Sequence, residues 1–390
     1  MTTNEIVGAK IKVVGVGGGG GNMVNHMIRE GISGIEMIAI NTDAQALEKS
    51  LANTKLQLGD GLGAGMKPEV GAKAAEKNYD EIKELLDGAD MVFVATGLGG
   101  GTGTGAAPIV AKAAKEVGAL TISIVTRPFF FEGRKRDKLA QKGMEELRVE
   151  SDSMVVIQND KLLTIVDKNL GVKDSFKLVD DILTRAVGGM SSVVLSCGES
   201  DINADFADIR TIMEHKGRAI LSIGEGVGDD AAVEAIKNAI ESPLLDNLSI
   251  DGAMGVLIHF TINSNFPLVQ IQNAMDIIYD SAHEDADIIF GTTTNDNLAE
   301  NEVKITLVAT GFDANNTPKL KTPANTTDKQ TIEAKPEIPQ NKPTMQSQPH
   351  SASPEEIINS LRAKLTGNGN YIIENSNDLD IPTFLRKKMD

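Results

Sequence analysis

Short apolar runs alternate with helical stretches through the first half of the chain. Ile11–Val16, Met37–Asn41, Met91–Thr96, Leu120–Thr126 and Met154–Gln158 read as buried strands. Between them lie helical candidates near Asn22–Glu30, Pro68–Asp87, Ala106–Val117 and Arg134–Glu150. That alternation argues for βαβ units and a Rossmann-like α/β domain, its mainly parallel sheet covered on both faces. Residues 174–196 read as one long, mostly apolar helix. Afterwards the pattern changes. Arg218–Ile223, Ala253–Ile262, Ala286–Thr292 and Val303–Gly311 read as strands, some alternating in polarity, with amphipathic helices at Asp230–Ile240 and Leu268–His283. The expected divisions are an α/β domain over 1–173, a central helix over 174–200 and a smaller α+β domain over 201–313.

From residue 314 to 354 the pattern disappears. Seven of the 13 prolines fall there, with no aromatic residue and many Asn, Thr, Gln and Lys. Such a segment buries too little apolar surface to fold and is expected to be a disordered linker. Ser353-Pro354-Glu355-Glu356, a capping-box pattern, leads from the linker into the tail, 355–390, where Ile357, Ile358, Leu361 and Leu365 lie at helical spacing. It closes on Leu379–Asp390, apolar then basic, the form of a tethered docking peptide.

Composition and charge narrow the partners. The net charge is −17; the linker carries +2 and the tail −1, which leaves −18 on residues 1–313. A surface so acidic repels nucleic acid, so no nucleic-acid partner is expected. A single cysteine, Cys197, precludes an internal disulfide. No run reaches the roughly 18 apolar residues of a membrane span, and Met1–Ile6 lacks the form of a signal peptide. A cytoplasmic protein without membrane insertion is expected.

The chemistry lies in the glycines. Gly15-Val16-Gly17-Gly18-Gly19-Gly20-Gly21-Asn22 and Gly99-Gly100-Gly101-Thr102-Gly103-Thr104-Gly105 each follow an apolar strand and precede a helix. Backbone N–H groups there can converge on an anion at a helix N-terminus, and Thr102 and Thr104 add hydroxyl donors. The first run satisfies GxGxxG, and Asp43 after the second strand could hold a ribose, so a dinucleotide enzyme is one reading. Two phosphate loops plus a third glycine-rich loop, Gly61–Gly65, suit a triphosphate better. No GxxxxGK[ST] occurs, which excludes a P-loop NTPase.

Gly99–Gly105 resembles the GGGTGTG signature of the tubulin/FtsZ family of GTPases. The match is closest to its bacterial cell-division branch, FtsZ. Gly15–Asn22, Asn41–Leu47, Gly61–Gly65 with Pro68–Gly71, Phe131–Gly133 and Asn203–Arg210 are all similar to segments of that branch, and Leu379–Asp390 resembles its tail peptide. The resemblance covers roughly 8–312 and the tail.

The resemblance implies a GTP/GDP site with Mg2+. Gly17, Gly18, Gly19, Gly20 and Gly21 would serve the phosphates with Gly99, Gly100, Gly101, Thr102, Gly103, Thr104 and Gly105. Asn22, Asn41 and Asn159 would complete the pocket; Glu132 and Arg136 would contact the ribose. Phe176 would stack on the base. Asp181 would read guanine, whose N1–H and exocyclic N–H a carboxylate can accept together. Taken alone, each has a plainer reading: Asp181 a solvated helix residue, Phe176 a core residue, and Glu132 with Arg136 an exposed ion pair. Asn203, Asp205 and Asp208 would form the catalytic acidic loop, entering the nucleotide site of the next subunit; by themselves Asn203 or Asp205 would be helix caps. The family's head-to-tail homopolymer forms the division ring at mid-cell, with membrane adaptors bound through 379–390. Ser200-Asp201, Asp180, Thr96 and Phe130 depart from the family pattern; Asp180 beside Asp181 is expected to weaken base binding by like-charge repulsion. The rival readings are a DNA-segregation filament, a non-hydrolysing family member and an NAD-dependent oxidoreductase.

Overall fold

The computed structural model describes residues 8–162, 171–195, 201–202, 205–215, 217–242, 250 and 252–312. The linker, the tail helix and docking peptide, Cys197, Ser200 and Asn203 lie outside the described residues. In chain order the elements are β1 (Ile11–Val16), α1 (Gly17–Arg29), β2 (Ile35–Asn41), α2 (Ala44–Glu48), β3 (Thr54–Gln57), α3 (Pro68–Lys77), α4 (Tyr79–Leu86), β4 (Met91–Gly97), α5 (Thr102–Glu116) and β5 (Leu120–Arg127). After a 3₁₀ turn (Phe130–Glu132) come α6 (Arg134–Glu150), β6 (Ser153–Gln158), α7 (Asn159–Leu162), α8 (Val172–Leu195) and α9 (Phe206–Glu214). The last elements are β7 (Gly217–Val227), α10 (Ala231–Ile240), β8 (Gly255–Ile262), α11 (Leu268–Ser281), β9 (Asp287–Thr294) and β10 (Glu302–Thr310).

The strands form one sheet in the order β3-β2-β1-β4-β5-β6-β7-β10-β8-β9. From β3 to β6 every pair is parallel. The order reverses between β1 and β4, which lie side by side in register from Ile11 opposite Met91 to Val16 opposite Thr96. Reversal of the strand order there opens a crevice at the C-terminal strand ends. β7 carries the sheet onward. Its first residues run parallel to β6, opposite Ser153–Val155, and the rest pairs antiparallel with β10.

Helices cover both faces. α3, α4, α5 and α6 pack over one side of the parallel strands through Ala74, Ile82, Ala107, Val110 and Leu147. On the other side α1 and α8 bury Met23, Met27, Leu183, Ala186, Val187 and Met190. α8 also meets Leu221, Leu257 and Val308 of the antiparallel strands, so one helix serves both parts of the sheet. A third cluster joins α10 and α11 to β8 and β10.

Several boundaries differ from the sequence pattern. α1 begins at Gly17 and α5 at Thr102, inside the glycine runs. Glycine permits the close packing this needs: a methyl at Gly20 would overlap the Ala95 carbonyl, and one at Gly105 the Pro68 carbonyl. The expected helix over Pro68–Asp87 is two, because Asn78 leaves helical geometry at φ −103°, ψ 19° and ends one while starting the next.

His259 of β8 is buried, its Nε2 2.9 Å from Thr293 Oγ1. Burial pulls its pKa down from 6.5 to about 4, against a smaller opposing pull from Asp201. The folded ring stays neutral where the unfolded chain takes up a proton, so stability falls as pH drops from 6.5 toward 4. Over that window the loss reaches about 3 kcal/mol. Urea unfolding between pH 7 and 4.5 should show a flatter pH dependence for His259→Gln; equal slopes would contradict this assignment.

Candidate nucleotide-binding site

Two helix N-termini meet at the crevice. β1 runs directly into α1, and the neighbouring β4 runs through Leu98–Gly101 into α5. Neither helix has a side-chain cap or an acidic residue in its first turn. Their opening N–H groups and positive dipole ends are therefore available to an anion. Loop shape is held by the protein itself. Gly99, at φ +95°, donates its N–H to Thr104 Oγ1 at 2.9 Å. Thr96 Oγ1 donates to the Val16 carbonyl at 3.0 Å and ties the two strand ends together. Thr42 and Thr102 join hydroxyls at 2.6 Å, and Gly63 N–H donates to the Thr42 carbonyl at 2.8 Å, bringing the third glycine loop alongside.

A cavity of about 370 Å³ lies over these ends. It is lined by Gly18, Gly19, Asn22, Gly100, Gly101, Thr102, Gly103, Glu132, Arg136, Asn159 and Phe176, all expected from the sequence. A second cavity, of about 270 Å³, shares Gly18 and Asn22 with it and adds Gly17, Gly21 and Asn41. Together they make one trench with two ends. The first ends among Met23, Phe176, Val179 and Asp180, and the second near Asn41 and Asp43.

At the first end an aromatic group is assembled. Phe129 stacks on Phe131 at 5.0 Å and meets Phe176 edge-on at 5.2 Å. Glu132 accepts from the Phe129 N–H at 2.9 Å and pairs with Arg136 one turn on. The ion pair expected from spacing alone thus forms, and it does so in the cavity wall. Asn159 is buried, and its Oδ1 has no hydrogen-bond partner among the described residues. A buried acceptor left open beside a cavity suits a ligand donor.

Four expected glycine and threonine contacts stand back from the trench. Gly20, Gly99, Thr104 and Gly105 shape the loops and helix starts but do not line either cavity; Thr104 spends its hydroxyl on Gly99. Asp43 accepts from the Gln45 and Ala46 N–H groups as the cap of α2, a role that competes with the ribose contact of the dinucleotide reading. Asp205 accepts from the Ala207 N–H at 3.1 Å as the cap of α9, and Asp208 is exposed in the first turn.

Asp181 stands apart from the other expected residues. It does not line the trench; it hydrogen-bonds His26 of α1 and faces a separate cleft with Leu178, Ile182 and Arg185. On a helix, residues 176, 179 and 180 share one face, while 181 is turned about 100° away. Asp180 is therefore the carboxylate beside Phe176. Its four-residue spacing from Phe176 was the signal available in the sequence. Burial pushes the Asp180 carboxyl up from 3.8 to about 6; His26 and Arg29 pull against this, and Asp181 adds to it.

Residues 10–167 match the GTPase domain of the tubulin/FtsZ family, and residues 217–313 match the C-terminal domain of the FtsZ family. A solved FtsZ dimer from M. jannaschii is 43% identical, with 79% of this chain and 89% of that one covered and a TM-score of 0.74. The chain belongs to the tubulin/FtsZ family. It is a GTPase of that family. CetZ1 and CetZ2 from Haloferax volcanii share its fold at 21% identity. The GDP-bound CetZ1 monomer covers 78% of this chain and 95% of its own, with a TM-score of 0.66. The CetZ2 protofilament with GTPγS covers 78% and 94%, with a TM-score of 0.65.

Whether Asp180 or Asp181 serves a bound base is directly testable. Losing a charged acceptor of two N–H groups should cost about 10- to 100-fold in affinity. Asp180→Ala should weaken GTP binding by that factor and erode its margin over ATP, whereas Asp181→Ala should change it less than about 3-fold. Equilibrium titration of both nucleotides decides; a larger loss at Asp181 would reverse the assignment.

Proposed function

We propose that this chain binds GTP in the trench, stacks head to tail into filaments of the cell-division ring, and hydrolyses GTP where one subunit's α9 meets the next subunit's nucleotide. One observation carries this reading. α5 starts at the trench, while Arg210 of α9 donates to the Gly118 carbonyl just past the other end of α5, at 3.1 Å. The 15 residues of α5 span about 22 Å. Asp205 and Asp208 are thus a helix length from the phosphates of their own subunit, too far to orient a water there. A partner stacked along that axis would bring its acidic helix start to the open trench.

The trench itself is built for binding rather than proton transfer. Glu132 is taken by Arg136, Asp180 belongs to the base end, and Asp43 caps α2. The two helix N-termini would hold the β- and γ-phosphates, Asn159 and Glu132 the nucleoside, Phe176 the base face, and Asp180 the N1–H and exocyclic N–H of guanine. Mg2+ would be held largely by phosphate oxygens and water, with Thr102 and Asn41 as neutral oxygens of the wall, and would neutralise charge on the transferring phosphoryl group. Asp205 and Asp208, with Asn203, would then orient the attacking water from the neighbouring subunit. The exposed rim supports burial by a partner: Leu62 is 93% exposed and Phe130 79%, on loops flanking the trench.

A heterologous contact of this kind does not close on itself and so propagates as a filament. On this reading residues 1–173 bind nucleotide, 174–200 join the two parts, 201–313 supply the acidic loop, and Leu379–Asp390 docks to membrane adaptors through the linker. The M. jannaschii relative solved as a dimer and the CetZ2 protofilament support self-association.

Subunit mixing tests the division of labour. Asp208→Ala should bind GTP normally and lose about 100-fold or more in turnover. Adding Asp180→Ala, which keeps Asp208 but binds GTP poorly, should restore hydrolysis, since each variant supplies what the other lacks. Full activity of Asp208→Ala alone, or no recovery in the mixture, would contradict catalysis in trans.

A further inference from the structure

The far end of α1 is built around a different cluster. His26, 5% exposed, turns its Nε2 toward two carboxylates. It hydrogen-bonds Asp181 Oδ1 of α8, and Glu30 Oε1, four residues on, lies 4.0 Å away. The three ligand atoms lie within 4.8 Å of one another, a grouping that no other His, Cys, Asp or Glu side chains make among the described residues. The cluster holds more negative charge than one imidazole can balance. Arg29 makes no ion pair with any of the three. The C-terminal end of α1 adds its negative dipole pole at the same place.

We propose that His26, Glu30 and Asp181 form a binding site for a divalent transition-metal ion of the zinc class, which clamps α1 to α8. A histidine and a glutamate four apart on one helix face, joined by a carboxylate from a second helix, make a three-ligand set with an open position for water. Imidazole nitrogen favours zinc or cobalt over magnesium, which prefers oxygen ligands in an octahedron. Metal–ligand bonds of about 2.0–2.2 Å bring ligand atoms to roughly 3–3.5 Å from each other. Glu30, half-exposed, closes the remaining gap by rotating its side chain. Binding replaces the hydrogen bond between His26 and Asp181: the Nε2 proton leaves to solvent, the metal takes its place between Nε2 and the carboxylate, and the neutral ring carries its hydrogen on Nδ1. The ion fixes the rotation of α8 about its axis, and with it the aim of Phe176 and Asp180. None of this depends on filament formation or catalysis in trans.

The test uses full-length, chelator-stripped protein without nucleotide or magnesium, titrated with Co2+ and followed by its visible absorption. Wild type should develop a saturable band complete at one equivalent, displaced by Zn2+. His26→Gln should weaken binding at least about 10-fold, by loss of a direct ligand. Glu30→Gln, at an exposed position, should weaken it several-fold with the fold intact, and Zn2+ should raise the melting temperature of wild type more than that of this variant. No saturable band, or Glu30→Gln and His26→Gln both binding like wild type, would overturn the site and leave a hydrogen-bonded tether between two helices.

Discussion

Two helices that begin without side-chain caps, side by side on parallel strands, are the constraint on which the rest of this structure depends. An uncapped helix start costs about 0.5–2 kcal/mol, and each glycine in a helix roughly 1 kcal/mol against alanine. α1 opens with five glycines and α5 carries two within its first four residues. The free protein bears that cost at the point where phosphate donors are needed. Burial of α1 and α5 against the sheet compensates from one side, and an anion at the N-termini compensates from the other. The loops around them follow from this need. Thr104 holds Gly99, Thr96 holds Val16, and Thr42 holds Thr102, so hydroxyls supply the stiffness that glycine removes.

α8 extends the same constraint across the molecule. One face, with Phe176, Val179 and Asp180, closes the trench. A second, with Leu178, Asp181, Ile182 and Arg185, borders a cleft against β7 and α10. A third buries Leu183, Ala186, Val187 and Met190 against both parts of the sheet. Any rotation of this helix about its axis changes that end of the trench and the cleft together. Arg185 pairs with Glu225 of β7, and Asp181 bonds His26 of α1, so polar ties resist rotation at both flanks.

Much of this was legible in the chain because doubly covered parallel strands must be apolar throughout. β1, β4, β5 and β6 stand out for that reason, and both glycine runs fall where a ligand crevice requires them. β3 is not legible: in Thr54-Lys55-Leu56-Gln57 only Leu56 is buried, and so short an edge strand carries almost no apolar signal. The helix starts at Gly17 and Thr102 are hidden because glycine has low intrinsic propensity, which tertiary packing overrides here. Asp180 and Asp181 are alike in type and differ only by one step of rotation, which residue identity cannot reveal. The spacing from Phe176 could. Asp205 is a cap, as its type suggests, and capping does not separate it from the role the family resemblance implies.

On the proposed function each GTP site is half built within its own chain. GTP hydrolysis per subunit, measured against protein concentration, tests it most directly. If α9 of the next subunit completes the site, activity per subunit should be near zero at low concentration and rise steeply above a threshold at which subunits stack. Constant activity per subunit down to concentrations at which the protein is monomeric would show that each chain carries a complete site.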